Sequence, residues 1–219
     1  MLKQHLNGTD SVLEIGSGSV GLGKFYQSPF VGCDIFFVTK PQDPMLPVVA
    51  SAAGLPFIDR CFDAVIASDV LEHIPPVSRK AAITETLRVA RKFAIFGFPS
   101  GEEAFACDRK LAEVYDQNHL SRPPWLDEHI CHGFPREELF SDFMADWDVS
   151  SFGNESVDFH YWMMNREMSP TWNFGFRALL ALAPGTVEGL LKRVDREPFY
   201  RRIVVLSSKH QSAVALHES

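Results

Sequence analysis

Four short stretches of the 219-residue sequence carry side chains whose type and spacing can do chemistry. Glu14 is the one acid in the apolar run Val12–Ile15, which leads straight into Gly16-Ser-Gly-Ser-Val-Gly21. Glycines lack Cβ, so such a loop lets the backbone approach a ligand, and a helix following it offers free N–H groups. Asp34 closes a second apolar run, where a carboxylate can accept hydrogen bonds from both hydroxyls of a diol. Asp69-Val-Leu-Glu-His73 follows a third run. Trp125-Leu-Asp-Glu-His129-Ile-Cys-His-Gly133 gathers further titratable groups; Glu128 or His129 can take a proton from a hydroxyl or amine, with His119 a further candidate.

The glycine loop alone leaves its ligand open. Gly16, Gly18 and Gly21 satisfy the dinucleotide G-x-G-x-x-G spacing, and dehydrogenases use an acid at the place of Asp34 for the same sugar. A glycine-rich turn with no ligand fits as well. Glu14 discriminates between them, because an acid inside an apolar strand needs a cationic or hydrogen-bonding partner. A pyrophosphate would be repelled by it, whereas S-adenosylmethionine brings an amino group and a sulfonium. Asp34 points to an adenosine-type cofactor without choosing one.

The elements that must position these groups read as alternating strands and helices. Val12–Ile15, Phe30–Asp34, Cys61–Ser68 and Phe93–Phe98 are strand-like. Pro76–Lys92 opens on proline, places Ile83, Leu87 and Ala90 on one face, and closes on Arg88, Arg91 and Lys92, as a helix should. This alternation predicts right-handed crossovers and a mainly parallel sheet. Arg136–Ala145 reads as helical, Trp147–Phe152 as a strand and Phe199–Ser207 as the last strand. Glu102–Pro135 reads as irregular.

Composition narrows the class. The chain is 46% hydrophobic and 22% charged, and its net charge of −7 argues against a nucleic-acid backbone as partner. Its four cysteines form no CxxC pair, which fits a reducing compartment and neither a disulfide framework nor a structural zinc site. Adjacent placement also argues against a cluster of His129, Cys131 and His132 as zinc ligands. No stretch approaches the ~20 apolar residues of a membrane span, and the polar Met1–Asp10 lacks a signal-peptide core, so the cytoplasm is the expected location.

In this order, Val12-Leu-Glu-Ile-Gly-Ser-Gly18, Gly32-Cys-Asp34, Ala53-Gly-Leu-Pro-Phe57 with Asp59, Phe62 and Asp63, and Ser68-Asp-Val-Leu-Glu-His-Ile74 resemble the class I S-adenosylmethionine-dependent methyltransferases, in the broad group acting on small molecules, quinone precursors and glycans. The resemblance spans roughly residues 10 to 100. It implies an α/β, Rossmann-like, seven-stranded and mainly parallel sheet with an antiparallel last strand, helices on both faces and a helical or irregular insertion before that strand. It also implies a cofactor set of Glu14, Gly16, Ser17, Gly18, Asp34, Ile35, Ser51, Ala52, Ala53, Ser68 and Asp69. Within it Glu14, Gly16 and Gly18 flank the methionine part, Asp34 holds the ribose, residues 50–55 pass the adenine, and Ser68 and Asp69 line the sulfonium side. Two positions depart from the family: Val20 stands where a third glycine is usual, and Ser51 where an acid often is. The catalytic candidates are His129, Glu128 and His73. In some quinone-pathway O-methyltransferases a similar acid-x-x-Glu-His segment binds a divalent cation, and Asp69, Glu72 and His73 match it. The same segment begins a helix in relatives without metal, and no metal is assigned.

With the first strand near residue 11, no N-terminal lid is expected, and residues 1–101 form the cofactor half of one domain. Residues 102–135 and 156–197 are then the substrate-binding and lid insertions. The aromatic and methionine side chains of 156–197, from Phe159 to Phe176, and the apolar segment Ala178–Ala183 suit an apolar or lipid-linked acceptor with peripheral membrane contact, or equally a small second core or homodimer interface. A nicotinamide-dependent oxidoreductase and an inactive cofactor-binding protein are the alternative functions.

Overall fold

The computed structural model describes residues 9–169, 171–172 and 195–209. Seven strands form one sheet: β1 (Val12–Ile15), β2 (Phe30–Asp34), β3 (Met45–Val49), β4 (Phe62–Ser68), β5 (Ala90–Pro99), β6 (Trp147–Ser156) and β7 (Phe199–Ser208). Their order across the sheet is β3-β2-β1-β4-β5-β7-β6. The first five are parallel, and β7 runs antiparallel to both β5 and β6. β1 and β4 are near-continuous apolar runs because a central parallel strand is covered on both faces; six of the seven residues of β4 are buried.

Four α-helices occur among the described residues: α1 (Pro76–Val89), α2 (Glu102–Gln117), α3 (Pro124–His132) and α4 (Val157–Glu167). Ala82, Ile83 and Leu87 of α1 pack on Leu13, Val65, Ala94 and Phe96 of one sheet face, and Phe140 of the 3₁₀ turn Glu137–Phe143 extends this core. Val12, Phe30, Met45 and Ile66 face the other way, against Leu22 and Tyr26. Leu111, Ala112 and Leu126 join α2 to α3, with Met164 and Met168 packed against them.

Several sequence expectations change. The helix expected to reach Lys92 ends at Val89, and Arg91 and Lys92 lie on β5. They pair there with Asp63 and Asp10, so their charge neutralises buried acids rather than a helix end. After the glycine loop comes the 3₁₀ turn Gly21–Lys24 instead of an α-helix. Residues 136–145 form a 3₁₀ turn rather than an α-helix, and 102–135, read as irregular, contains α2 and α3. β3 escaped notice because Pro47 interrupts it; an edge strand tolerates a residue with no N–H to donate. The segment Ala178–Ala183 lies outside the described residues.

Asp63 is the main fastening of the sheet's lower end. Its buried carboxylate accepts from the Ser11 N–H and hydroxyl and from Arg91, with Lys92 alongside. Burial opposes its ionisation, but the Ser11 N–H and the two cations outweigh that and hold the carboxyl well below the usual carboxylate range. Asp63→Ala should therefore lower stability by about 2–4 kcal/mol at pH 7 in urea unfolding. Because the folded-state pKa is depressed, this contribution is present above the ordinary value of 3.8 and fades as pH falls below it. An equal loss at pH 7 and pH 2 would contradict the assignment.

Candidate active site

The sheet's connections reverse direction between β1 and β4, and open α/β sheets bind ligands beyond the strand carboxyl ends at that point. A cleft of about 460 Å³ opens there, lined among others by Gly16, Asp34, Ile35, Ser51, Ala52, Ala53, Asp69 and His73. Seven of the eleven sequence-derived cofactor candidates thus share one cleft. Glu14, Ser17, Gly18 and Ser68 lie behind it.

Glu14, Ser17 and Gly18 hold the loop that borders it, and the Ser68 hydroxyl donates to Asp69 Oδ2 at 3.2 Å. Glu14 Oε2 accepts from Leu22 N at 2.8 Å, which closes the loop back onto β1. Burial raises the Glu14 carboxyl to about 7, with the Leu22 N–H opposing and the charge of Asp34 reinforcing the shift. Gly21 has φ +50, and a Cβ there would run into the Glu14 carboxylate, so glycine is required one place after Val20. Gly18 N donates to Asp34 Oδ2 at 2.8 Å and Ile35 N to Oδ1 at 2.7 Å, which fixes the carboxylate toward the cleft mouth. Ser17 is buried and its hydroxyl donates to Gly18 O. The Ser51 hydroxyl accepts from Ala53 N and holds a tight turn.

The Leu-Pro-Phe stretch owes its place to a latch. Arg88 of α1 reaches Leu55 O, Phe57 O and Asp59 Oδ1, while Glu85 accepts from Leu55 N. The acid of that motif holds a loop and takes no part in lining the cleft.

A second cavity, of about 210 Å³, adjoins the cleft and shares Asp69 and His73 with it. Glu72, Trp125, His129, His160, Met164, Tyr200 and Arg201 complete most of its wall. Three histidines are each tied to a carboxylate through Nδ1: His73 to Glu128 at 2.6 Å, His129 to Asp108 at 2.7 Å and His160 to Glu155 at 3.1 Å. A carboxylate only accepts, so each of these Nδ1 atoms carries a proton, and Nε2 of His160 lies 3.9 Å from Asp108 Oδ1. Nε2 of His129 and of His160 is buried with no hydrogen-bond partner, as is Oε2 of Glu72. Burial raises Glu72 to about 8, assisted by the charge of Asp69, and lowers His73 despite the opposing Glu128.

Asp108 is fully buried and also receives the Tyr200 hydroxyl at 3.0 Å. Burial and the Asp108 charge push the Tyr200 phenol far above its ordinary value, so it stays a donor. Arg79, itself buried, donates to Leu71 O and Ile74 O on one side and to His132 O and Gly133 O on the other. It thereby sets the 3₁₀ turn Leu71–His73 against the end of α3. Asp69, at φ +55, ion-pairs with Arg201 at 2.9 Å, and among the described residues the acid-x-x-Glu-His trio of Asp69, Glu72 and His73 does not gather as a ligand set. His129 stands in its place: one ligand atom each from Glu72, His73 and His129 lies within 4.8 Å of the other two. His119 lines neither cavity.

Sequence reasoning missed Asp108, Tyr200, His160, Glu155, Arg79 and Arg201. Only Asp108 carried a signal, as an acid on the apolar face of an amphipathic helix.

Residues 13–98 match the family described as a methyltransferase domain. Among solved structures the fold resembles an S-adenosylmethionine-dependent methyltransferase from Methanosarcina mazei (TM-score 0.53, 16% identity, covering 94% of this chain and 96% of that one). It also resembles magnesium protoporphyrin IX methyltransferase from Synechocystis PCC 6803, solved with S-adenosylhomocysteine (TM-score 0.51, 14% identity, 95% and 78% covered). A third is the protein of a structure titled for conversion of a disulfide into a thioacetal during echinomycin biosynthesis (TM-score 0.54, 15% identity, 100% and 86%). At such identities the likeness establishes the fold. No curated protein matches the sequence.

The His129–Asp108 and His73–Glu128 pairs differ in burial and in what depends on them. Asp108→Ala should cost about 3–5 kcal/mol of stability, because it strands His129 and the Tyr200 hydroxyl in the interior. Glu128→Ala, at a half-exposed pair, should cost less than about 1 kcal/mol. Thermal or urea unfolding of the two variants checks the contrast, and equal losses would refute it.

Proposed function

We propose that this chain, a class I S-adenosylmethionine-dependent methyltransferase by its matched residues and its fold, moves the sulfonium methyl group to a hydroxyl or amine of a small acceptor with an apolar body. The observation that carries the reading is the junction of two compartments: a cleft with Asp34 at its mouth meets a histidine-lined cavity across Asp69 and His73.

In this reading the cleft takes the cofactor. Asp34 accepts from the ribose hydroxyls with the lone pairs left by Gly18 N and Ile35 N, the backbone at Gly16 borders the methionine part, and Ile35 with residues 51–53 covers the adenine. Glu14 acts from behind the loop, favouring the cationic amino group. The single 3₁₀ turn after the loop offers no helix N-terminus to a pyrophosphate, which disfavours a dinucleotide. Trp125, Met164 and Tyr200 give the acceptor cavity an apolar wall suited to a small organic body.

The acceptor's lone pair attacks the methyl carbon in line, the carbon–sulfur bond breaks, and its electrons stay on sulfur as S-adenosylhomocysteine. The acceptor's proton goes to Nε2 of His73 or His129, oriented by Glu128 and Asp108 respectively. Most of the rate comes from alignment.

Three measurements test the reading. Asp34→Ala should weaken S-adenosylhomocysteine by roughly 2–3 kcal/mol in fluorescence titration; unchanged affinity in the folded variant would misplace the ribose. Glu14 is partly protonated near pH 6.5, and a cationic amino group drives it toward its ionised form. Calorimetry in buffers of different ionisation enthalpy should then show proton release on binding, absent in Glu14→Gln; equal release by both proteins would remove Glu14 from the site. S-adenosylhomocysteine formation with phenol, alcohol and amine acceptors should fall about 10²–10⁴-fold in a His73→Ala, His129→Ala double variant, with cofactor affinity retained. Undiminished turnover would exclude both imidazoles.

A further inference from the structure

We propose that Glu72, His73 and His129 form a binding site for a divalent transition metal of the Zn²⁺ type, opening into the smaller cavity. Each of the three offers one ligand atom within 4.8 Å of the other two. They come from two separate elements, the 3₁₀ turn Leu71–His73 and α3, which the buried Arg79 holds together through four backbone carbonyls.

Two observations beyond proximity point to a ligand. Glu72 is 1% and His129 6% exposed, yet Oε2 of the first and Nε2 of the second have no hydrogen-bond partner. A buried polar atom left bare costs on the order of 1–3 kcal/mol, so two converging on one cavity call for an occupant. Both imidazoles, moreover, give their Nδ1 proton to a carboxylate, His73 to Glu128 and His129 to Asp108. Carboxylate–histidine pairs of this kind fix the tautomer and ring orientation of metal-ligating histidines and raise their basicity. His160 repeats the pattern with Glu155 on the same cavity wall but stands outside the trio.

The donor set selects the metal class. Two neutral nitrogens and one carboxylate oxygen suit Zn²⁺ and its first-row neighbours, whereas Mg²⁺ demands oxygen ligands and keeps several waters. Tetrahedral Zn²⁺ with bonds near 2.1 Å brings ligand atoms to about 3.4 Å from one another. The trio must therefore draw in by at most about 1.4 Å to hold the ion. A fourth position would remain open toward the cavity. The site's place beside the acceptor rests on the methyl-transfer reading; its affinity for metal does not.

Chelator-treated protein, without cofactor or acceptor, would be titrated with Zn²⁺ and separately with Mg²⁺ by calorimetry, with unfolding temperature as a second readout. One Zn²⁺ per chain should bind and raise the unfolding temperature, and millimolar Mg²⁺ should do neither. Glu72→Gln and His129→Ala should each weaken Zn²⁺ at least tenfold while keeping the native circular dichroism. Cys131→Ser, which removes the exposed thiol on α3, should leave the affinity unchanged. Absence of Zn²⁺ binding, full affinity in both ligand variants, or its loss in Cys131→Ser would each overturn the assignment. Because no turnover is measured, failure here is distinguishable from failure of the methyl-transfer reading.

Discussion

The smaller cavity of this protein is organised around one buried carboxylate. Asp108 sits on α2 with no exposed surface and receives the ring N–H of His129 from α3 and the hydroxyl of Tyr200 from β7. A charge so placed is tolerated only where donors surround it, so its position constrains three elements at once. His160, stacked on the Tyr200 ring with centroids 3.4 Å apart, adds a fourth from α4. Replacing water around Asp108 with fixed donors is what turns a set of amphipathic helices into a cavity of defined shape.

Asp69 does comparable work at the boundary. It takes a left-handed backbone conformation that an aspartate tolerates better than most residues, with its N–H given to Gly97 O and its carboxylate paired with Arg201. Arg201 also binds Glu155, which holds His160. Burial opposes the Arg201 charge, and the two acids outweigh it. Asp69, Arg201 and Glu155 thus form a line of alternating charges that links the end of β4 to β7 and β6.

The larger cleft is built at the ends of neighbouring strands. The glycine loop, Asp34 and the turn at Ser51–Gly54 follow directly from strands that end at the same level of the sheet. The charge of Asp34 lies close enough to Glu14 to help burial raise its carboxyl to about 7.

The sequence by itself determined the strand alternation, the glycine turn, Asp34 at the end of β2 and the residues around 50–55, because these depend on local patterns and on which strand end they occupy. It also marked His73, Glu128 and His129 as groups able to move protons. It misjudged the reach of α1, since Arg91 and Lys92 fit a helix end as well as they fit Asp63 and Asp10 across the sheet. It read Glu102–Pro135 as irregular, where α2 and α3 form and pack on one another through Leu111, Ala112 and Leu126. Tertiary structure alone decided that Glu72 and His73 gather with His129, since Arg79 sets the turn against α3. Such pairings join residues separated by 50 or more positions, and their energy comes from burying charge with its partner, a quantity no local pattern carries.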